Sequence, residues 1–244
     1  MADAALLTEV LAGLDRRDYY SLPQETDGYA SVLDDAPKGR RLGLLLDMGA
    51  GTLPAVEVRA AIEAAARRLE DLGGRVEAMK SPHHDDPESA IETYMRARTL
   101  AEVRALPQEK RQAVLPQVVD WCQAAEGLSA QELIDAMNRI DRMRQEVIAA
   151  TKDFDYVLSP VMPMTAYGAE IAYPDAKRAW SHLHFTFPYN QTQQPAISIN
   201  CGFDGEGLPI GLQIIGQRFD DRGVLALAAA HERVCPLSGR WPQV

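Results

Sequence analysis

Histidine and carboxylate side chains that lie close together in the sequence are the first candidates for chemistry. Residues 83–86 read His-His-Asp-Asp, and His182 and His184 are two positions apart. Such side chains are common ligands of zinc and other transition metals. Pro82 and Pro87 flank the first group, however, and favour an extended, solvated turn whose side chains diverge. The second pair alternates as on a strand, but no third ligand follows at a diagnostic spacing, so we predict no metal site.

Nucleophilic side chains are the second kind of candidate. A serine nucleophile needs an exposed hydroxyl on a strained, glycine-rich turn beside a base, and no serine of this sequence lies in such a run. Cys201 could act through its thiol, but Ile199 and Phe203 place it in an apolar strand, where buried thiols are usually inert. The sequence therefore predicts no catalytic residue of its own.

A glycine-containing loop is the third candidate, because glycines between a strand and a helix can cradle the pyrophosphate of a dinucleotide. Gly49 and Gly51 fit the first positions of that pattern, but Pro54 stands at the third and removes a backbone donor. We interpret the segment as an ordinary connection between strand and helix and predict no cofactor.

Charge and cysteine content exclude several classes of partner. The chain of 244 residues has a formal net charge of -10, from 35 acidic and 25 basic residues, with no basic run that would attract nucleic acid or anionic lipid. It also lacks an apolar run long enough to span a bilayer and a basic leader at its start. Its three cysteines are widely and irregularly spaced, which fits no disulfide framework. We expect a cytoplasmic protein without a nucleic-acid or membrane partner.

The elements that must position these side chains predict an α/β fold, in which a mixed β-sheet is flanked by helices. Short apolar or alternating runs predict five strands of one sheet, at 42–46, 76–79, 156–159, 197–200 and 210–215. The segment 41–79 reads strand, helix, strand, which predicts a parallel pair. We interpret residues 1–244 as one α/β unit.

The longest predicted helix begins at a capping box formed by Ser129 and Glu132 and extends to about residue 150. Its apolar residues at helical spacing predict a buried stripe of Leu133, Met137, Ile140 and Val147. Two opposite-charge pairs four residues apart are expected on its exposed face, Asp135 with Arg139 and Arg142 with Glu146.

Segments near the carboxyl end carry a family resemblance. Residues 185–198 (Phe-Thr-Phe-Pro-Tyr-Asn-Gln-Thr-Gln-Gln-Pro-Ala-Ile-Ser) lead into Gly202 and Phe203, and residues 207–216 read Gly-Leu-Pro-Ile-Gly-Leu-Gln-Ile-Ile-Gly. Together they resemble the C-terminal signature of the amidase-signature family, which acts on carboxamide nitrogen. Residues 154–163 are similar to a second family segment, a strand that ends in a proline-rich loop. The resemblance extends over nearly the whole chain and is loosest at 88–150.

This resemblance implies that the chain is the C-terminal portion of the amidase-signature fold. Family catalysis rests on a serine nucleophile, a second serine and a lysine on an upstream segment for which this sequence has no counterpart. The resemblance therefore implies a truncated amidase that lacks its nucleophile and is inactive alone. One departure is Asn200, where the family commonly has proline.

Pocket residues are implied by the same resemblance. The segment before the predicted fourth strand is expected to lie near the acyl side of the site, with Thr186 and Asn190 as polar groups and Phe187 and Tyr189 as apolar surface. The proline-rich loop is expected to face the variable part of the substrate, and its lining residues are Met162 and Met164. The implied ligand is a small amide substrate in the complete enzyme. The implied protein partner is an N-terminal amidase segment or, if the isolated chain exposes an open sheet edge, a second copy of the chain.

Two alternatives remain open on the sequence. The chain could be a non-catalytic protein that uses the inherited scaffold to bind a ligand or a partner. It could also be an enzyme of another class that uses His182, His184 or Cys201.

Overall fold

The computed structural model describes residues 1–21, 25, 27–171, 173–175, 178, 180–235 and 237. Within these residues, no helix has the length and apolar character needed to cross a membrane.

One five-stranded mixed sheet forms the centre of the fold. Its strands are β1 (Arg41–Leu44), β2 (Arg75–Ala78), β3 (Tyr156–Pro160), β4 (Ala196–Phe203) and β5 (Pro209–Gly216), arranged in the order β2-β1-β3-β5-β4. Strands β1, β2 and β3 are mutually parallel, whereas β5 runs antiparallel to both β3 and β4. The prediction that all five apolar runs belong to one sheet is confirmed.

Eight α-helices surround the sheet in the described part of the chain: α1 (Ala2–Leu11), α2 (Val56–Asp71), α3 (Glu88–Ala105), α4 (Gln108–Arg111), α5 (Pro116–Gln123), α6 (Ala130–Thr151), α7 (Phe187–Thr192) and α8 (Asp221–Val234). Short 3₁₀ helices lie at Ala30–Val32 and Ser181–Leu183. The predicted capping box of α6 is confirmed, because Ser129 Oγ accepts the Glu132 N–H at 3.2 Å while the Glu132 carboxylate accepts the Ser129 N–H at 2.8 Å.

Both faces of the sheet are covered by helices. Helices α2 and α8 pack on one face, where Ile62, Leu69 and Leu227 meet the strand residues Leu158 and Leu212. Helices α3, α6 and α7 supply the core of the other face, which includes Ile91, Met143, Tyr189, Val157 and Ile215. The predicted α/β class, a mixed sheet flanked by helices, is confirmed.

The buried stripe of α6 differs in part from the prediction. Ile140 and Val147 are buried as expected, but Met137 is 43% exposed, and Met143 takes a core position instead. Arg139, predicted on the exposed face, is buried between this helix and the segment that precedes α3. The predicted exposed pair with Asp135 is therefore wrong.

His231 makes the stability of the fold dependent on pH. This histidine of α8 is fully buried, and neither ring nitrogen has a hydrogen-bond partner among the described residues. Burial, assisted by the charge of nearby Arg68, lowers the pKa of His231 to about 4. Because its pKa is about 6.5 in an unfolded chain, the unfolded state binds more protons between these values, and stability is lost as the pH falls from 6.5 towards 4.

We expect His231→Phe to remove part of this acid sensitivity. The free energy of unfolding is measured by urea denaturation between about pH 7 and 4, roughly the window in which His231 titrates. As the pH falls, it should decrease more steeply for the wild type than for the variant, and the two slopes should differ by at most about 1.4 kcal/mol per pH unit. His84→Phe, at an exposed position, is the matched control and should keep the wild-type slope. Equal slopes in the wild type and His231→Phe would contradict the assignment.

Candidate functional site

Three loops meet at the carboxyl ends of the parallel strands, the place where open α/β sheets usually bind ligands. The loop after β1 is tied to the loop after β2 through the His83 N–H, which donates to Met48 O at 3.2 Å. It is tied to the loop after β3 through the Ala55 N–H, which donates to Pro163 O at 2.7 Å. The three connections therefore form one surface.

Two glycines let the loop after β1 pack closely on histidines. Gly49 and Gly51 have φ values of +80° and +81°. A Cβ at Gly49 would lie 2.5 Å from His83 O, and a Cβ at Gly51 would lie 2.3 Å from His184 Nδ1. Close packing at positive φ accounts for both glycines.

Alanine substitutions separate the effects of crowding and of backbone conformation. Gly39 also has a positive φ, +76°, but a Cβ there would have no neighbour within 4 Å. We expect Gly39→Ala to lower the free energy of unfolding by about 1 kcal/mol, the conformational penalty alone. Gly51→Ala should cost roughly 1 to 3 kcal/mol more, because the ring of His184 must move. Equal losses in urea denaturation would show that the loop is not packed on His184.

His83 lies at the centre of a buried polar cluster. Its side chain is fully buried, and Nδ1 lies 3.5 Å from Glu146 Oε2 on α6. Burial lowers the pKa of His83, against the opposing effect of Glu146, so the ring is neutral near pH 7. Arg139 contacts Asp85 and places Nη1 3.7 Å from Glu146 Oε1. The prediction of a solvated turn is wrong for His83, because the segment folds back onto α6.

An ion-paired cluster joins the loop after β2 to the segment that precedes α7. Ligand atoms of Asp86, Glu88 and His184 lie within 4.8 Å of one another, which is a spacing that could hold a metal ion. The guanidinium of Arg178 already contacts both carboxylates, at 2.8 Å for Glu88. His184 Nδ1 lies 2.9 Å from Ser181 O. The arrangement is a network of ion pairs and hydrogen bonds that anchors the chain before α7.

The second histidine pair does not adopt the predicted strand geometry. His182 belongs to the 3₁₀ helix Ser181–Leu183, and its ring packs edge-on against Tyr167 at 5.9 Å. His184 is buried after the helix ends. Cys201 is buried as its flanking residues indicated, and burial raises the pKa of its thiol to about 12, so the thiol is protonated.

The residues implied to line a substrate pocket lie in two groups. Met162 and Met164 are half-buried in the loop after β3, at the carboxyl ends of the parallel strands. The start of α7 is tied to the same end of the sheet, because Gln213 Nε2 donates to Phe185 O at 2.7 Å and to Ser159 Oγ at 3.0 Å.

The remaining four residues lie along α7, from Thr186 at the end of the sheet where the helix starts to Asn190 near the opposite end. Thr186, at the N-cap of the helix, donates through Oγ1 to Leu183 O at 3.2 Å, and Phe187 packs on the core of α3 and α6. Tyr189 is buried, which raises the pKa of its hydroxyl, and that hydroxyl has no hydrogen-bond partner among the described residues. Asn190 is exposed and lines a depression of about 290 Å³ at the opposite end of the sheet, where β5 ends.

Sequence reasoning missed the buried roles of His83, Arg139 and Glu146. One signal was present in the sequence: residue 139 lies three positions after Ala136 and four before Met143, and both are apolar. Helical spacing therefore assigns Arg139 to the inner face of α6. The partners Asp85 and Glu146 carry no comparable local signal.

Comparisons with known proteins give the family. A family model described as amidase matches residues 1–225. The A subunit of glutamyl-tRNA(Gln) amidotransferase from Brevibacillus brevis is 30% identical over 269 residues, which cover 99% of this chain and 54% of that protein. The same subunit from Myxococcus xanthus is 29% identical, and the match covers 53% of that protein. The chain thus spans about half the length of the curated relatives it matches.

Solved structures agree with the sequence relatives. A bacterial aryl acylamidase of the amidase-signature family has a TM-score of 0.84 and 26% identity, over 98% of this chain and 52% of that protein. A 6-aminohexanoate cyclic dimer hydrolase complexed with substrate has a TM-score of 0.83 over 99% of this chain and 55% of that protein; at 22% identity it shows the fold alone. With the family model matched along residues 1–225, the chain belongs to the amidase family.

Proposed function

We propose that this chain forms the substrate-binding part of an amidase that hydrolyses carboxamide C–N bonds, and that a second segment supplies the serine nucleophile and the lysine. The observation that carries the proposal is the family match over residues 1–225 in a chain that covers only 54% of a full-length relative. The experiment that tests it is amide turnover by the chain with and without that segment.

The proposed reaction is acyl transfer to serine followed by hydrolysis. The serine hydroxyl, activated through lysine, attacks the amide carbonyl, and its proton passes to the departing amine as the C–N bond breaks. Water then hydrolyses the acyl-enzyme. This chain contributes binding and orientation: the half-buried Met162 and Met164 offer adaptable apolar surface, which favours amides with an apolar substituent.

A cytoplasmic location is part of the proposal. It is supported by the three cysteines, Cys122, Cys201 and Cys235, which are all buried as free thiols. Free thiols are typical of proteins in reducing compartments.

Substitutions at Thr186 and Asn190 test which end of α7 meets the substrate. In the reconstituted enzyme, Thr186→Val should weaken substrate binding by about 1 to 3 kcal/mol, because a buried polar partner on the substrate would be left unpaired. Asn190→Ala should change acyl preference or affinity by a similar amount only if the substrate extends along α7. Asn138→Ala, at an exposed position of α6, is the matched control. KM and kcat should be measured for each variant; an effect of Asn190→Ala alone would place the substrate at the other end of the sheet.

A further inference from the structure

Three potential metal ligands converge where the loop after β2 meets the segment that precedes α7. One ring nitrogen of His184 and one carboxylate oxygen each of Asp86 and Glu88 lie within 4.8 Å of one another. Zinc accepts such a mixed set of nitrogen and oxygen ligands, and three protein ligands leave one position of its tetrahedron for water. His184 lies 98 positions after Asp86 in the sequence, so no local spacing indicates this group.

The buried ring of His184 is held as the rings of metal-binding histidines usually are. Its Nδ1 lies 2.9 Å from Ser181 O, and because a carbonyl oxygen can only accept a hydrogen bond, Nδ1 is the nitrogen that carries the proton. A metal-bound histidine commonly donates its other ring N–H to a carbonyl or a carboxylate in this way, which fixes the tautomer. The lone pair of the uncharged ring is then on Nε2, the nitrogen that faces Asp86.

The separation of His184 and Asp86 matches that of two ligands on one zinc ion. Two atoms that are each about 2.1 Å from a tetrahedral ion are roughly 3.4 Å apart. His184 Nε2 and Asp86 Oδ1 lie 3.4 Å apart. A ring lone pair and a carboxylate oxygen are both acceptors, so they repel at this distance unless a proton or a metal ion lies between them. Gly51 packs so closely on the ring that a Cβ would lie 2.3 Å from Nδ1, which restricts rotation of the ring.

The charges of the cluster favour a divalent cation. Asp86 and Glu88 supply two negative charges, and the guanidinium of Arg178 supplies one positive charge through its contacts with both carboxylates. The side chain of Arg178 is 39% exposed, whereas that of Glu88 is 13% exposed. The arginine can therefore turn towards solvent while the glutamate stays in place, and a divalent ion would then balance both carboxylates.

We propose that Asp86, Glu88 and His184 form a zinc site, and that Arg178 pairs with the two carboxylates in the metal-free chain and is displaced when the ion binds. The site is separate from the serine and lysine chemistry proposed above. Bound zinc ties the loop after β2 to the segment before α7, and it stabilises the folded chain because the unfolded chain does not hold the three ligands together.

Titration of the full chain with zinc chloride tests the proposal. After a chelator has removed any metal, calorimetry near neutral pH should show one ion bound per chain. His184→Gln and Glu88→Gln each remove a ligand and should weaken binding by at least about tenfold. His182→Gln, which changes a histidine outside the cluster, is the matched control and should bind as the wild type does.

Replacement of Arg178 by methionine distinguishes a metal site from a network of ion pairs alone. The substitution removes the cation that competes with zinc, so Arg178→Met should bind zinc about tenfold more tightly than the wild type. Without metal, the variant should have a lower midpoint of thermal unfolding, because two carboxylates lose their counter-charge. Addition of zinc should raise that midpoint by more than it raises the midpoint of the wild type.

Nitrogen NMR of the histidine rings provides a readout that does not depend on the variants folding. In the wild-type chain, zinc should shift the Nε2 resonance of His184 and leave its Nδ1 protonated. The proposal would be overturned by any of four results: no binding by the wild type, undiminished binding by His184→Gln and Glu88→Gln, weaker binding by Arg178→Met, or a shift at another histidine in place of His184.

Discussion

Replacement of Arg139 by methionine is expected to lower the free energy of unfolding by about 3 kcal/mol. The side chain of Arg139 is 11% exposed, and it lies between Asp85 and the Glu146 carboxylate, whose own side chain is 18% exposed. Methionine keeps the length of the side chain but removes the charge. The Glu146 carboxylate would then remain buried beside the neutral ring of His83, and an uncompensated buried charge is costly.

Two further variants make this expectation specific. Arg142→Met, at an exposed position of the same helix, should change the free energy of unfolding by less than about 0.5 kcal/mol. Arg139→Met combined with Glu146→Leu should cost less than the sum of the single substitutions, because no lone carboxylate is left. The free energies of unfolding of these three variants are measured by urea denaturation at about pH 7, where the ring of His83 is neutral. Strict additivity of the double variant would show that Arg139 and Glu146 do not interact.

Local patterns were sufficient to predict much of the fold. The five strands follow from short apolar runs, and the start of α6 follows from Ser129 and Glu132, because each of these signals lies within a few residues of sequence. The strand limits shifted by a few residues; β1, for example, ends at Leu44 and not at residue 46.

The polar contacts of the site could not be predicted because they join distant segments. Arg139 contacts Asp85, which lies 54 positions earlier in the sequence, and His184 lies close to Asp86, which lies 98 positions earlier. Both aspartates follow the end of β2, and their neighbours become defined only when the sheet and α6 are assembled. The pocket residues were assigned by family resemblance, and their roles in binding remain predictions.

The largest expected effect concerns catalysis. The isolated chain should hydrolyse no amide at an enzymatic rate, since removal of the catalytic groups of a serine hydrolase lowers turnover on the order of a millionfold. Substrate binding and orientation, the role proposed for residues such as Met162 and Thr186, accelerate the reaction little without a nucleophile to form the acyl intermediate. Addition of a segment that bears the serine and lysine should restore turnover.

The most direct test is the rate of amine release from a panel of aliphatic and aromatic amides at a fixed amount of chain and an increasing amount of the catalytic segment. We expect a rate at background without the segment, a rise that saturates at a one-to-one ratio, and a loss of activity when the serine of the added segment is changed to alanine. Turnover by the purified chain alone, abolished by substitution of His182, His184 or Cys201, would refute the proposed function and favour an enzyme of another class.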